Sequence, residues 1–140
     1  MPNLLINIDV NDLAEAVAFY TAAFQLTPSR RFGRTAVELT GAEVPIYLLL
    51  RATATPTFPA ATTARDYGRH WTPVHFDFVV VQLEDAVERA TRAGARTESA
   101  IQSYPWGRMA LMSDPFGNGF CLLELSPGGY DAIATPYGAP

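Results

Sequence analysis

The chain has 140 residues, 49% of them hydrophobic and 17% charged, and its formal net charge is −4. That composition supports one packed core and excludes a disordered chain. It also lacks the basic face that a phosphate backbone requires, so no nucleic acid is expected as a partner. The stretch Leu4-Leu5-Ile6-Asn7-Ile8-Asp9-Val10 alternates apolar and polar residues toward its end and predicts a strand. Asn11 or Asp12 then offers a helix N-cap, with Glu15 placed as the partner of Asp12 in a capping box. Leu13, Val17, Tyr20 and Phe24 follow at helical spacing, predicting an amphipathic helix over about 12–24. Short strand-like runs cover roughly 29–33, 35–40 and 45–51. Residues 53–71, rich in Thr, Ala and Pro, predict a linker or lid.

The same order then recurs. Val74 to Val81 reads as a strand, and Leu83, Ala86, Val87 and Ala90 form a second helical stripe. Asp85 with Arg89 and Glu88 with Arg92 are i,i+4 pairs on its solvent face, and Gly94 is placed as its C-cap. Strand-like runs follow near 96–102, 108–113 and 119–125. Aligning Leu13 with Leu83 sets an offset of 70 residues that pairs Leu5 with His75 and Asn7 with Asp77. Aligning Leu48-Leu49-Leu50 with Leu122-Leu123-Glu124 pairs Tyr47 with Cys121. The fold class is therefore α+β: two βαβββ modules forming a curved mixed sheet with a concave ligand cup. One domain is expected over 1–140, with module one at 1–52, the linker at 53–71, module two at 72–126 and a Gly/Pro-rich tail at 127–140.

Period-two alternation sends Leu4, Ile6, Ile8 and Val10 toward the helix, and Leu5, Asn7 and Asp9 into the cup. In the equivalent strand, Phe76, Phe78 and Val80 face the helix while His75, Asp77 and Val79 face the cup. Asn7, Asp9, His75 and Asp77 are thus expected to converge on one concavity. All ten basic residues are arginine, which excludes lysine nucleophiles and Schiff bases. The single cysteine, Cys121, cannot form an internal disulfide and fits a reducing, cytoplasmic setting. No apolar run reaches the ~18 residues of a membrane span, and the N-terminus lacks the order of a signal peptide, so no membrane partner is expected. Gly-rich nucleotide loops, serine nucleophile elbows, CxxC and HExxH patterns do not occur.

The chain resembles the vicinal-oxygen-chelate superfamily, which includes glyoxalase I, extradiol dioxygenases, fosfomycin-modifying enzymes and bleomycin-resistance proteins. The resemblance is carried by Asn11-Asp12-Leu13 through Ala18-Phe19-Tyr20, by His75-Phe76-Asp77-Phe78 and by Tyr104-Pro105-Trp106-Gly107. Its strongest part is the turn Asp114-Pro115-Phe116-Gly117-Asn118-Gly119 before the last strand. Carried onto this sequence, the superfamily's four metal-ligand positions are Leu5, Tyr47, His75 and Cys121, of which only His75 is a usual ligand. The resemblance therefore implies a metal-independent member with no cofactor. Its cup would bind a small organic molecule, aromatic or cationic, as the bleomycin- and mitomycin-type resistance proteins do by sequestration. Expected ligand-binding residues are Asn7, Asp9, Tyr47, His75, Asp77, Trp106 and Cys121, with Phe58 as a further stacking surface. The alternatives are a metal-free isomerase, cyclase or lyase with His75 and Asp77 as its acid/base pair, and a metal-dependent glyoxalase- or dioxygenase-like enzyme with an atypical ligand set. A homodimer is expected, because a module exposes an open sheet edge and an apolar concave face.

Overall fold

The computed structural model describes residues 1–139. The 70-residue offset is real at the level of helices: Leu13 opens α1 (Leu13–Phe24) and Leu83 opens α2 (Leu83–Ala93). The two starts are capped differently. Asp12 takes an extended backbone, and its carboxylate accepts the Glu15 amide at 2.9 Å. Gln82 contributes no side-chain cap; instead Glu124, from the last strand, accepts the Leu83 amide at 2.8 Å. Gly94 ends α2 with φ +122°, its N–H turned back to the carbonyls of Ala90 and Thr91. α1 ends on Gln25 at φ +57°, a left-handed position taken here without glycine.

Each module builds its own sheet. The first contains β1 (Ile6–Val10), β2 (Thr27–Phe32), β3 (Ala36–Thr40) and β4 (Ile46–Leu50) in the order β1-β4-β3-β2. The second contains β5 (Phe76–Val79), β6 (Arg96–Thr97), β7 (Gln102–Tyr104), β8 (Gly107–Ser113) and β9 (Gly119–Leu125) in the order β5-β9-β8-β6, with β7 also on β8. In both, the first strand lies parallel to the last and the remaining pairs are antiparallel. The single run expected at 96–102 is broken into β6 and β7. The register places Asn7 opposite Tyr47 and Asp77 opposite Cys121, so the residues that the repeat equates, Asn7 with Asp77 and Tyr47 with Cys121, hold equivalent places.

The helices cover one face of the sheets. Ile8 and Val10 are buried, and Ile6, Phe76, Phe78 and Val80 pack against the same core, as the alternation requires. Leu4 departs from the expectation: it lies ahead of β1 and is 66% exposed. Helix α1 also ties the modules together. The Phe24 ring stacks on Phe78 at 3.9 Å and meets Phe120 edge-on at 5.2 Å. Glu88 and Arg92 form their ion pair at 2.5 Å, but Arg89 does not pair with Asp85. Its guanidinium donates to the Ala23 carbonyl at 3.3 Å, at the negative end of the α1 dipole. No helix among the described residues is long and apolar enough to cross a membrane.

Candidate functional site

The open face of the first sheet carries a closed polar network. Arg30 on β2 donates to both carboxylate oxygens of Glu38 on β3, at 2.9 and 2.6 Å, and the Tyr47 hydroxyl on β4 donates to Glu38 at 2.5 Å. Glu38 is only 6% exposed. The guanidinium and the phenol together hold its carboxyl down at about 2, and the proton shared with Glu38 pushes the Tyr47 phenol up. Tyr47 is thus committed to a carboxylate within its own sheet.

Asp9, on the edge strand β1, is held by Arg65 from the linker at 2.8 Å, so its charge is already matched. Asn7, Asp9 and His75 share a cavity of about 800 Å³ with Tyr20, Tyr67, His70 and Trp71. Asp77 lies two residues farther along β5 and lines a separate groove beside Phe24 and Glu43. The four polar cup residues therefore occupy two adjoining spaces. Linker residues from Thr57 to Trp71 line the space beside Asn7, Asp9 and His75, and none of them lines the groove beside Asp77.

The linker is fastened by the turn at residues 114–119. Asp114 is buried and accepts the amides of Phe116 and Asn118 at 2.8 and 2.9 Å, the Asn118 side chain at 2.9 Å and the Tyr20 hydroxyl at 2.5 Å. This fixes Asn118, whose carbonyl oxygen meets a ring nitrogen of His70 at 3.0 Å, while the His70 amide donates to Gly117 at 3.1 Å. Gly117 has φ +85°, and a Cβ there would lie 2.0 Å from the Gly68 carbonyl oxygen. Arg69 pairs with Glu98 at 2.6 Å on the far side. His70 is thus a fastener of the lid. Sequence reasoning had no local signal for these contacts beyond the turn motif itself.

In the second module, His75, Asp77 and Cys121 converge on the open face. The Nε2 of His75 lies 3.2 Å from the Asp77 carboxylate. The ligand atoms of all three residues fall within 4.8 Å of one another. Cys121 is 4% exposed; burial first, then the charge and hydrogen bonding of Asp77, push its thiol up to about 12. Cys121 and His75 also line a smaller cavity of about 170 Å³ beside His70 and Trp71. Two expected stacking residues lie elsewhere. Trp106 stacks on Tyr104 at 5.0 Å and meets the tilted ring of Tyr130 at 5.3 Å, and Phe58 stands 63% exposed on the linker.

The superfamily's two-module metal set does not fit these residues. Leu5 offers only hydrocarbon, and the Tyr47 phenol is spent on Glu38, so module one presents no donor at either position. Module two presents His75 and Cys121 at its own.

Two βαβββ modules, helices on one face and polar side chains gathered on the other, with an Asp-Pro-Phe-Gly-Asn turn before the last strand, define a vicinal-oxygen-chelate protein. The chain belongs to the glyoxalase-like domain family, whose model matches residues 5–123. Uncharacterized proteins of Mycobacterium bovis and Mycobacterium tuberculosis are 27% identical over 124 residues, covering 86% of this chain and 82% and 73% of theirs. Among solved structures, FosX from Listeria monocytogenes, a fosfomycin resistance protein, is similar at 17% identity and TM-score 0.69, covering 91% of this chain and 94% of that one. That structure is a mutant complexed with Mn(II) and 1S,2S-dihydroxypropylphosphonic acid. A glyoxalase/bleomycin resistance protein/dioxygenase from Nocardioides is similar at 22% identity and TM-score 0.62, covering 92% of this chain and 87% of the other.

Proposed function

We propose that this protein binds a small organic molecule, aromatic or cationic, in the space between β1, β5 and the linker, without the superfamily's two-module metal. The observation that carries this reading is the cavity of about 800 Å³ lined by Asn7, Tyr67, Trp71 and His75. Its size suits a small-molecule site, and its roof is pinned at both Asp9 and Asn118. Trp71 supplies a stacking face and Asn7 a hydrogen-bonding edge. Sequestration of an antibiotic-like compound in the cytoplasm is the role such a site serves without turnover. A second copy of the chain would cover Leu4, Leu5, Val79 and Val81, which stand exposed near the unpaired edges of β1 and β5. Light scattering that reads the mass of a single chain would overturn this dimer.

The test of binding is native mass spectrometry of freshly purified protein for a retained small molecule, followed by a thermal-shift screen of planar aromatic cations and polyketides. With Trp106→Phe in place, Trp71 is the only indole left, and its fluorescence reports occupancy of the cavity. Saturable quenching that weakens about tenfold on Asn7→Ala, a fold-change worth roughly 1.4 kcal/mol, is the expected result. No retained mass and no compound that quenches Trp71 would defeat the reading. The His75–Asp77 contact at 3.2 Å favours one second reading, a metal-free isomerase, cyclase or lyase in which Asp77 orients His75 as the proton acceptor. For that enzyme, Asp77→Asn lowers turnover by ~10²–10⁴ while binding survives.

A further inference from the structure

We propose that His75, Asp77 and Cys121 form a one-module binding site for a single thiophilic divalent cation, zinc in kind, with a fourth coordination position left open. This goes beyond the binding of an organic molecule and departs from the sequence expectation of no metal. The four inherited ligand positions are Leu5, Tyr47, His75 and Cys121. Asp77 is not among them, and it lies on the same strand face as His75 and directly across the ladder from Cys121.

The geometry is close to what a tetrahedral ion needs. Donor atoms about 2.0–2.3 Å from zinc stand roughly 3.5 Å from each other. The imidazole and carboxylate are already 3.2 Å apart, and the three donor atoms lie within 4.8 Å. Both His75 and Asp77 are exposed, so neighbouring packing leaves their side chains room to adjust. All three sit on or next to paired strands, so the backbone is fixed before the ion arrives. Cys121 is buried, yet it stands outside the apolar core cluster and its sulfur lies within 4.8 Å of the His75 and Asp77 donor atoms.

The donor chemistry selects the ion. One thiolate, one imidazole and one carboxylate suit zinc or cobalt, whereas an all-oxygen set would suit magnesium or manganese. When the ion binds, the Cys121 proton leaves to solvent and the sulfur becomes a thiolate. The negative charge of Asp77, which now opposes that ionisation, then faces the cation. Three protein donors and one open position match the pattern of sites that take an exogenous ligand. His75 and Cys121 both line the cavity of about 170 Å³, with Arg69, His70 and Trp71, which leaves space beside them for such a ligand.

The test uses the full chain, purified without a polyhistidine tag and stripped by chelator, then titrated with cobalt(II) as the optical probe and zinc as the competitor. The expected result is one equivalent of cobalt per chain with a thiolate-to-cobalt charge-transfer absorption, displaced by zinc. Cys121→Ser abolishes that absorption and weakens zinc more than 100-fold; His75→Gln and Asp77→Asn each weaken it at least tenfold. The last two change exposed side chains, so they remain informative if Cys121→Ser fails to fold. Wild-type protein should also melt at a higher temperature with zinc, a shift absent in His75→Gln. Cobalt bound without a charge-transfer band, or with one that survives Cys121→Ser, would overturn the site. So would zinc affinity unchanged in His75→Gln. A negative outcome leaves the Trp71 quenching assay untouched, so failure here and failure of organic-ligand binding are separable.

Discussion

Removing one oxygen at Tyr20 should cost this protein more than any surface change. Tyr20 and Asp114 are both buried, each 4% exposed, and their contact at 2.5 Å spans 94 residues of sequence from α1 to the turn before β9. Tyr20→Phe leaves the ring in place against Phe19 at 5.0 Å and Phe24 at 5.5 Å, so no cavity opens and the packing term is unchanged. What is lost is a hydrogen bond to a charged acceptor, worth about 1.5–3 kcal/mol. The Asp114 oxygen concerned keeps only the Asn118 side chain at 2.9 Å. For a domain of this size the loss corresponds to a melting temperature lower by about 5–10 °C. Urea unfolding should show the midpoint fall at constant slope. Asp114→Asn, measured alone and with Tyr20→Phe, closes a double-mutant cycle whose coupling should exceed about 1 kcal/mol. A loss below about 0.5 kcal/mol for Tyr20→Phe, or additive effects, would refute the claim that this bond joins the modules.

Two further outcomes follow from the same contacts. Gly117→Ala places a Cβ 2.0 Å from the Gly68 carbonyl at a φ of +85°, so the linker must lift from the turn. Trypsin should then cut at Arg65 or Arg69 at least tenfold faster than in the parent, and an unchanged rate would show that Gly117 does not seat the linker. Acid should destabilise the fold through carboxylates paired with arginine. Glu38 and Glu84 are both held down to about 2, Glu38 by Arg30 and Tyr47 and Glu84 by Arg108. A folded value below the unfolded one means the stabilisation is fully present above the ordinary carboxylate value of 4.5 and is lost as pH falls toward 2. Stability should therefore decline across that window, with a shallower slope in Glu38→Gln; a flat profile between those limits would contradict the assignment.

The parts of the fold visible in the sequence are those set by local periodicity and by the repeat. Leu13 and Leu83 open the helices because apolar spacing and capping are decided within a few residues. Likewise Asn7 and Asp77, and Tyr47 and Cys121, come out at equivalent places because two copies of one motif share a register. The parts that were not visible depend on distance across the sequence. Arg30, Glu38 and Tyr47 sit on three different strands. Arg65 reaches Asp9 across 56 residues, and Glu124 caps a helix that begins 41 residues before it. A buried Glu between Val37 and Leu39 was the only local sign of the first network. Nothing in the composition of 53–71 marked Arg65 and His70 as its two anchors.

The repeat also explains why the two halves of the cup differ chemically although they are built alike. At equivalent places module one offers Asn7 and Tyr47, and module two offers Asp77 and Cys121. In the first sheet the carboxylate of Glu38 is answered by Arg30, and that of Asp9 by Arg65. In the second, Asp77 has only the imidazole of His75 as an ion-pair partner among the described residues. In water the attraction of a cation 4 Å from a lone carboxylate is about 1 kcal/mol, and about 4 kcal/mol at the effective dielectric of a protein surface. A carboxylate matched by a guanidinium cancels most of that field. On the two proposals above, a bare ion or the cationic group of an organic molecule would therefore favour Asp77 at the β5–β9 end of the cup over Asp9 and Glu38, whose charges are already matched. On the binding reading proposed above, an aromatic body attached to such a group would reach back from there toward His75 and Trp71, beside the linker that Asn118 and Gly117 hold in place.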